Sequence, residues 1–165
     1  MPELKDIVIN TGPLLAIIAA QGNLSLLQDL YRQVFVPYEV KKEITGFGAG
    51  LFGVEEFYDA RFLVIPSRPL ILSPILENTL DQGEAAVIQL ALNKKVTTVC
   101  IDETTGRRVA RLFNLNVTGS LGILLRAKKE GYPVSMKHAI EQMKKKDIYL
   151  SDKLVNSVLK LSGEI

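Results

Sequence analysis

Ile7-Val8-Ile9-Asn10-Thr11-Gly12-Pro13-Leu14 is the stretch on which the fold turns. Three β-branched residues in a row, without polar alternation, suit a strand buried on both faces. A polar triplet follows, and Pro13 opens a helix where its missing N–H costs nothing. A strand, a polar turn and a helix start within eight residues make the first half of a parallel-sheet unit. Working outward, further apolar runs of strand length are Val34-Phe35-Val36, Phe62-Leu63-Val64-Ile65, Thr97 to Ile101 and Leu115-Asn116-Val117, which gives four or five strands. Helical segments fill the intervals: Leu24 to Tyr31, one opened by Pro37 with Val40 and Ile44 on one face, and one opened by Asp81 and ending at Asn93-Lys94-Lys95. In the last of these, Ala85, Val87, Ile88, Leu90, Ala91 and Leu92 leave almost no polar face, as suits a helix packed on a sheet. The expectation is an α/β chain with a three-layer α/β/α arrangement around a central, mostly parallel sheet.

The glycines at 46, 48, 50 and 53 and the prolines at 66, 69 and 74 mark two connections in the middle of the chain. After Gly119 the pattern is all helical, with breaks at Gly131-Tyr132-Pro133 and near Asp147, and with Ser151 placed to cap a last amphipathic helix. The chain therefore reads as one domain over residues 1–165, with a core of about 5–131 and C-terminal helices over about 132–165. With 47% hydrophobic and 23% charged residues it is neither a disordered tail nor a disulfide scaffold. A formal charge of +2 announces no polyanionic partner by bulk electrostatics, so any charge argument must be local. The single cysteine, Cys100, lies in an apolar run and suits a reduced core residue, which favours the cytoplasm. The N-terminal residues lack the charged and apolar regions of a signal peptide, and no stretch approaches 18 apolar residues, so no membrane contact is expected.

Parallel strands joined by right-handed crossovers put the loops that follow them on one edge of the sheet. Asn10-Thr11, Asp102-Glu103 and Thr118-Gly119-Ser120 all follow such strands, and Glu43 and Glu84 lie on helices that can reach the same edge. Carboxylates gathered without histidine or cysteine are hard oxygen ligands, suited to Mg²⁺ or Mn²⁺. Each residue also has a purely structural reading. Asn10 or Thr11 caps the helix behind Pro13, Asp81 with Glu84 forms a capping box, Asp102 caps the helix after it, and Glu43 sits with Glu39, Lys41 and Lys42 on a solvated face. Arg107 and Arg108 are candidates for binding phosphate groups or serving as counter-ions for Glu84 or Glu103, with Arg111 on the same helix. Lys144-Lys145-Lys146 reads as a solvated helix end. The run Gly48-Ala49-Gly50-Leu51-Phe52-Gly53 satisfies a dinucleotide fingerprint but follows a helix instead of a strand. No phosphate-binding P-loop sequence occurs, His138 sits among Met136, Lys137 and Ala139 on a late helix as a surface residue, and Ser120 has no histidine partner for a hydrolase triad.

The runs Ile7 to Leu14, Val36-Pro37-Tyr38-Glu39-Val40-Lys41-Lys42-Glu43-Ile44 and Leu80-Asp81-Gln82-Gly83-Glu84-Ala85 together resemble the PIN domain. Ile101-Asp102-Glu103, Gly106-Arg107-Arg108-Val109-Ala110 and Val117-Thr118-Gly119-Ser120-Leu121-Gly122 are similar to one prokaryotic subgroup of it, in which asparagine replaces the first aspartate. The resemblance implies a metal-dependent ribonuclease, a hydrolase of RNA phosphodiester bonds leaving a 5′-phosphate and a 3′-hydroxyl, and often the toxin of a toxin–antitoxin pair. It implies a catalytic, metal-holding set of Asn10, Glu43, Glu84 and Asp102 with Mg²⁺ or Mn²⁺. Thr11, Arg107, Arg108, Thr118 and Ser120 would line the RNA path. RNA, an antitoxin protein and a second copy of the chain are the candidate partners. Asn10 stands where most PIN domains carry aspartate, and it offers an oxygen without a charge. Two alternatives stay open: a weak or inactive RNA- or protein-binding module of the same fold, and a small-molecule phosphohydrolase.

Overall fold

The computed structural model describes residues 3–46 and 51–164. Four short strands, β1 (Ile7–Ile9), β2 (Val34–Phe35), β3 (Thr98–Cys100) and β4 (Asn116–Thr118), form one sheet in the order β2-β1-β3-β4. Every pairing is parallel. Val8 stands opposite both Phe35 and Val99, and Val99 opposite Val117, so the central strands are set by their β-branched residues. Of the Phe62–Ile65 run only Val64 joins the sheet, through a single parallel bridge to Phe35. It extends the β2 edge without becoming a fifth strand.

Ten helices accompany the strands among the described residues: α1 (Thr11–Gln21), α2 (Ser25–Leu30), α3 (Tyr38–Thr45), α4 (Val54–Asp59), α5 (Pro74–Thr79), α6 (Gln82–Lys94), α7 (Thr104–Leu112), α8 (Ser120–Lys129), α9 (Met136–Lys145) and α10 (Asp152–Ser162). The Asp81 helix is α6, and it packs on β1, β3, α3, α5 and α7, which is why it tolerates an apolar surface nearly all round. A second group, α1, α8, α9 and α10, packs together. The Asp81 and Ser151 caps form as the sequence suggests, each side chain accepting from the backbone N–H three residues on. Two helices, α4 and α5, occupy stretches that read as loops. Each has only six residues, too few to show a period, and each is held by buried apolar side chains, Val54 and Phe57 in α4 and Leu76 in α5. The first residues of the glycine-rich fingerprint, 48–50, lie outside the described residues. Cys100 is fully buried and burial pushes its thiol up, while His138 is exposed. No helix among the described residues is long and apolar enough to cross a membrane.

Candidate active site

The chain leaves β1 to build β2 on one side of it and later places β3 on the other, so the strand order switches at the β1/β3 boundary. Ligands of open α/β sheets bind outside the C-terminal strand ends at such a point. Asn10 follows β1 there directly, and Asp102 follows β3 after one intervening residue, Ile101.

Asn10 occupies the N-cap position of α1, yet its side chain makes no capping bond. This corrects the capping reading. The residue is buried, 8% exposed, and its Oδ1 has no hydrogen-bond partner among the described residues. The oxygen faces Gly83 instead: a methyl group added to Gly83 would lie 3.2 Å from Asn10 Oδ1 and would collide with Glu43 Oε1. Two oxygens, one from the residue after β1 and one from α3, thus converge on one glycine at the start of α6. The Thr11 hydroxyl donates to Glu43 Oε2 at 2.9 Å. Although Glu43 is exposed as a residue, its carboxyl end is tucked in, and its pKa is raised by burial, opposed by the Thr11 bond and reinforced by the charge of Asp81.

Glu84, one residue after Gly83, is 6% exposed. Its pKa is pushed up to about 8, first by burial, then by Asp81, and further by Glu103 and Glu43. Its carboxylate lies against Gly106, where an added Cβ would sit 2.6 Å from Oε2. Asp102 is held differently. Its Oδ1 accepts the Ser120 N–H at 2.8 Å and its Oδ2 accepts the Ser120 hydroxyl at 2.9 Å. Asp102 does not cap α7; Glu103 holds that N-cap position, also without a side-chain bond. Gly119 gives Asp102 its room, since an added Cβ there would come within 2.7 Å of Oδ1 and 3.0 Å of Arg107 Nη1. Arg107 Nη1 donates to the Ile101 carbonyl at 2.9 Å. Thr118 makes only a long contact, 3.4 Å, from its hydroxyl to the Gly119 carbonyl, and Arg108 is exposed.

Three glycines therefore sit beneath the acids, and none of them was among the residues expected to act. Their legible signal is placement: Gly83 and Gly106 fall in the first turns of α6 and α7, and Gly119 caps α8. Thr11 and Ser120, expected along the RNA path, donate their hydroxyl protons inward to Glu43 and Asp102. Among the described residues no three His, Cys, Asp or Glu side chains come close enough to enclose a metal ion by themselves. Glu43 gathers with Asn10, Glu84 rests on Gly106, and Asp102 is drawn to Ser120. The donor chemistry nevertheless fits a hard cation. The set is all oxygen, a buried amide oxygen lacks a partner, and Glu84 feels an excess of negative charge that a cation would relieve. Such ions keep several waters, so a sparse protein ligand set suffices.

Fold and site together define an open parallel α/β protein with an all-oxygen acidic centre at its switch point. The family model that matches, over residues 6–164, is that of the PIN domain (DUF3368), and the chain belongs to the PIN domain family, whose members are generally nucleases. No curated protein matches the chain.

Proposed function

We propose that this chain is a metal-dependent ribonuclease of the PIN subgroup that carries asparagine in the first acidic position. In this reading Asn10 Oδ1, Glu43, Glu84 and Asp102 hold one or two Mg²⁺ or Mn²⁺ ions. A bound ion supplies Lewis acidity toward the phosphodiester and lowers the pKa of water, giving in-line hydrolysis to a 5′-phosphate and a 3′-hydroxyl. The chain's own residues do the positioning: Thr11 steadies Glu43, Ser120 steadies Asp102, and the three glycines let the carboxylates approach the backbone. Arg107, whose guanidinium lies near Asp102, and the exposed Arg108 would take backbone phosphates. The observation that carries the reading is the buried, unpartnered Asn10 Oδ1 beside Glu43, because a buried acceptor left unsatisfied costs stability unless something binds it. Isothermal titration with Mn²⁺, together with RNA cleavage in Mn²⁺ and in chelator, tests it. Saturable binding with chelator-sensitive cleavage is expected, and an absence of both would end it.

The lack of a three-acid cluster among the described residues and the uncharged Asn10 favour a second reading, a PIN-fold module that binds RNA or protein without cutting. RNA binding without metal-dependent cleavage would select it. A role as the toxin of a toxin–antitoxin pair in the cytoplasm, with an antitoxin protein as its partner, follows from the family resemblance. Growth arrest on expression that the carboxylate variants relieve would bear it out.

A further inference from the structure

The chain that leads from the β2 edge into α5 forms no helix or strand over residues 65–73. Two of its amides are nevertheless held by side chains of the helices that build the site. The Leu70 N–H donates to Glu39 Oε2 of α3 at 2.8 Å, and the Ser73 N–H donates to Gln89 Oε1 of α6 at 2.9 Å. Gln89 is itself oriented, because its Nε2 donates to Asn93 Oδ1 at 3.0 Å, one turn further along α6. Glu39, on the helix face expected to be solvated, is 5% exposed, and its Oε1 has no hydrogen-bond partner among the described residues. Between the two anchors the side chains alternate as in an extended segment: Leu70 and Leu72 pack against the core, while Ile71 is 93% exposed.

We propose that Leu70–Ser73 is a strap that sets α3 against α6, and that Glu39 and Gln89 are positioning residues for Glu43. The proposal rests on the nuclease reading, in which Glu43 is a metal ligand. Glu43 follows Glu39 by one turn on the same face of α3. Its Oε1 lies so close to Gly83, at the start of α6, that an added Cβ there would collide with it. The place of that oxygen therefore depends on how α3 sits along α6. Apolar packing holds the two helices together, but it has no direction. Hydrogen bonds do. Here one from each helix ends on amides three residues apart, within about 10 Å of extended chain, so that sliding one helix past the other must break a bond. A buried carboxylate with a single donor is a costly way to fill space, and an apolar side chain would bury itself there without that cost. Glu39 is suited to anchoring the Leu70 amide, not to filling the core.

The test compares three variants. Glu39→Gln keeps an oxygen for the Leu70 N–H, Glu39→Ala removes it, and Gln89→Leu cuts the other anchor at a half-buried position. Amide resonances of isotope-labelled protein, recorded in chelator, report across the helix pair. Glu39→Ala should move the Gly83 amide on α6, Gln89→Leu should move the Glu43 amide on α3, and Glu39→Gln should leave the Gly83 amide in place. Calorimetric titration with Mn²⁺ reads the consequence: Glu39→Ala should lose about tenfold in affinity, the lower end of the range for residues that orient metal ligands, and Glu39→Gln should stay within about twofold of wild type. Glu164→Gln, which cuts bonds between the end of the chain and α9, controls for lost stability and should move neither readout. Shifts confined to residues 69–74, with wild-type Mn²⁺ affinity in Glu39→Ala, overturn the strap. So does an equal loss in Glu39→Gln and Glu39→Ala, which would put the effect on the charge of Glu39 and not on its bond to Leu70. If Glu39→Ala does not fold, the Glu43 amide and the Mn²⁺ affinity of Gln89→Leu decide by the same criteria. If wild type binds Mn²⁺ and cleaves RNA while every variant matches it, only the strap falls. If wild type binds no Mn²⁺, the nuclease reading falls and the amide shifts alone decide the strap.

Discussion

Glu84 and Glu164 are both drawn into the fold, and the chain treats them in opposite ways. Glu164, after α10, accepts from Lys128 Nζ and the Met136 N–H at 2.6 Å and from the Ser135 hydroxyl and the Lys137 N–H at 3.1 Å. Burial alone would raise its pKa, but these donors outweigh it and hold the group at about 2. Two of them are the first N–H groups of α9, so the carboxylate also meets the positive end of that helix. Glu84 is more deeply buried, receives no side-chain donor among the described residues, faces Asp81, Glu103 and Glu43, and is pushed up to about 8. A carboxylate that serves structure is given its donors by the chain. One left among other carboxylates, without a donor, costs stability, and under the proposed reading a bound cation would relieve that cost.

The largest effect should come from removing that costly charge. Glu84→Gln and Asp102→Asn should each lower Mn²⁺-dependent RNA cleavage by at least about 100-fold, the scale of a lost transition-state electrostatic contact. In chelator at neutral pH, Glu84→Gln should melt no lower than wild type, because it removes a carboxyl that on folding must either take up a proton or hold a repelled charge. Gly83→Ala extends the test: alanine favours the helix by up to about 1 kcal/mol, yet its methyl displaces the flexible end of Glu43. Cleavage should fall while thermal stability holds or rises. If cleavage by the Glu84 and Asp102 variants matched wild type, the contrast between the two acids would have no functional content.

At the structural acid the signs reverse. Glu164→Gln loses the Lys128 ion pair and weakens the bonds to the start of α9, at a cost of about 2 kcal/mol by analogy with charged hydrogen bonds and helix caps. For a chain of this length that lowers Tm by about 5 °C, readable by calorimetry or circular dichroism. RNA cleavage at 25 °C should be unaffected. The effect has a pH signature. Because the folded pKa is depressed, the stabilisation is full above the unfolded value of 4.5 and is lost as pH falls toward about 2. Wild type and Glu164→Gln should therefore converge in Tm through that window. A Tm gap that persists unchanged at pH 2.5 would show that the carboxylate charge is not what holds α9.

What the sequence made legible was local. The β-branched runs fixed all four strands to within a residue or two, and the Asp81 and Ser151 caps could be read because donor and acceptor lie three residues apart. The acids at the strand ends followed from topology, since parallel strands must place them on one edge. Pairings across the fold were not legible. Thr11 meets Glu43 over 32 residues and Ser120 meets Asp102 over 18, distances that only strand register and helix packing close. The Glu164 staple was missed for the same reason, as it joins the end of α10 to the start of α9 across 28 residues. The structural alternative for Asn10, a side-chain cap, does not form although asparagine before a helix usually makes one: the residue holds the N-cap position of α1, but its oxygen lies toward Gly83.

The smallest expected effect is also the finest test of the contrast, since it asks whether Asn10 belongs to the costly region. Asn10→Asp puts a charge at a site 8% exposed whose Oδ1 has no donor and whose neighbour is Glu43. At an effective dielectric near 20, a carboxylate about 4 Å from a cation gains about 4 kcal/mol per unit of cation charge. Desolvation and repulsion from the neighbouring acids take most of that back. If about 1 kcal/mol survives, Mn²⁺ affinity rises about fivefold, within the reach of calorimetry. Without metal the same substitution should lower Tm, because nothing satisfies the new charge, and the affinity gain should widen as pH rises and less proton must be displaced. A side chain that merely decorated the start of α1 would give neither result. Unaltered Mn²⁺ affinity with unaltered metal-free stability would remove Asn10 from the site and leave Glu43, Glu84 and Asp102 as its only protein ligands.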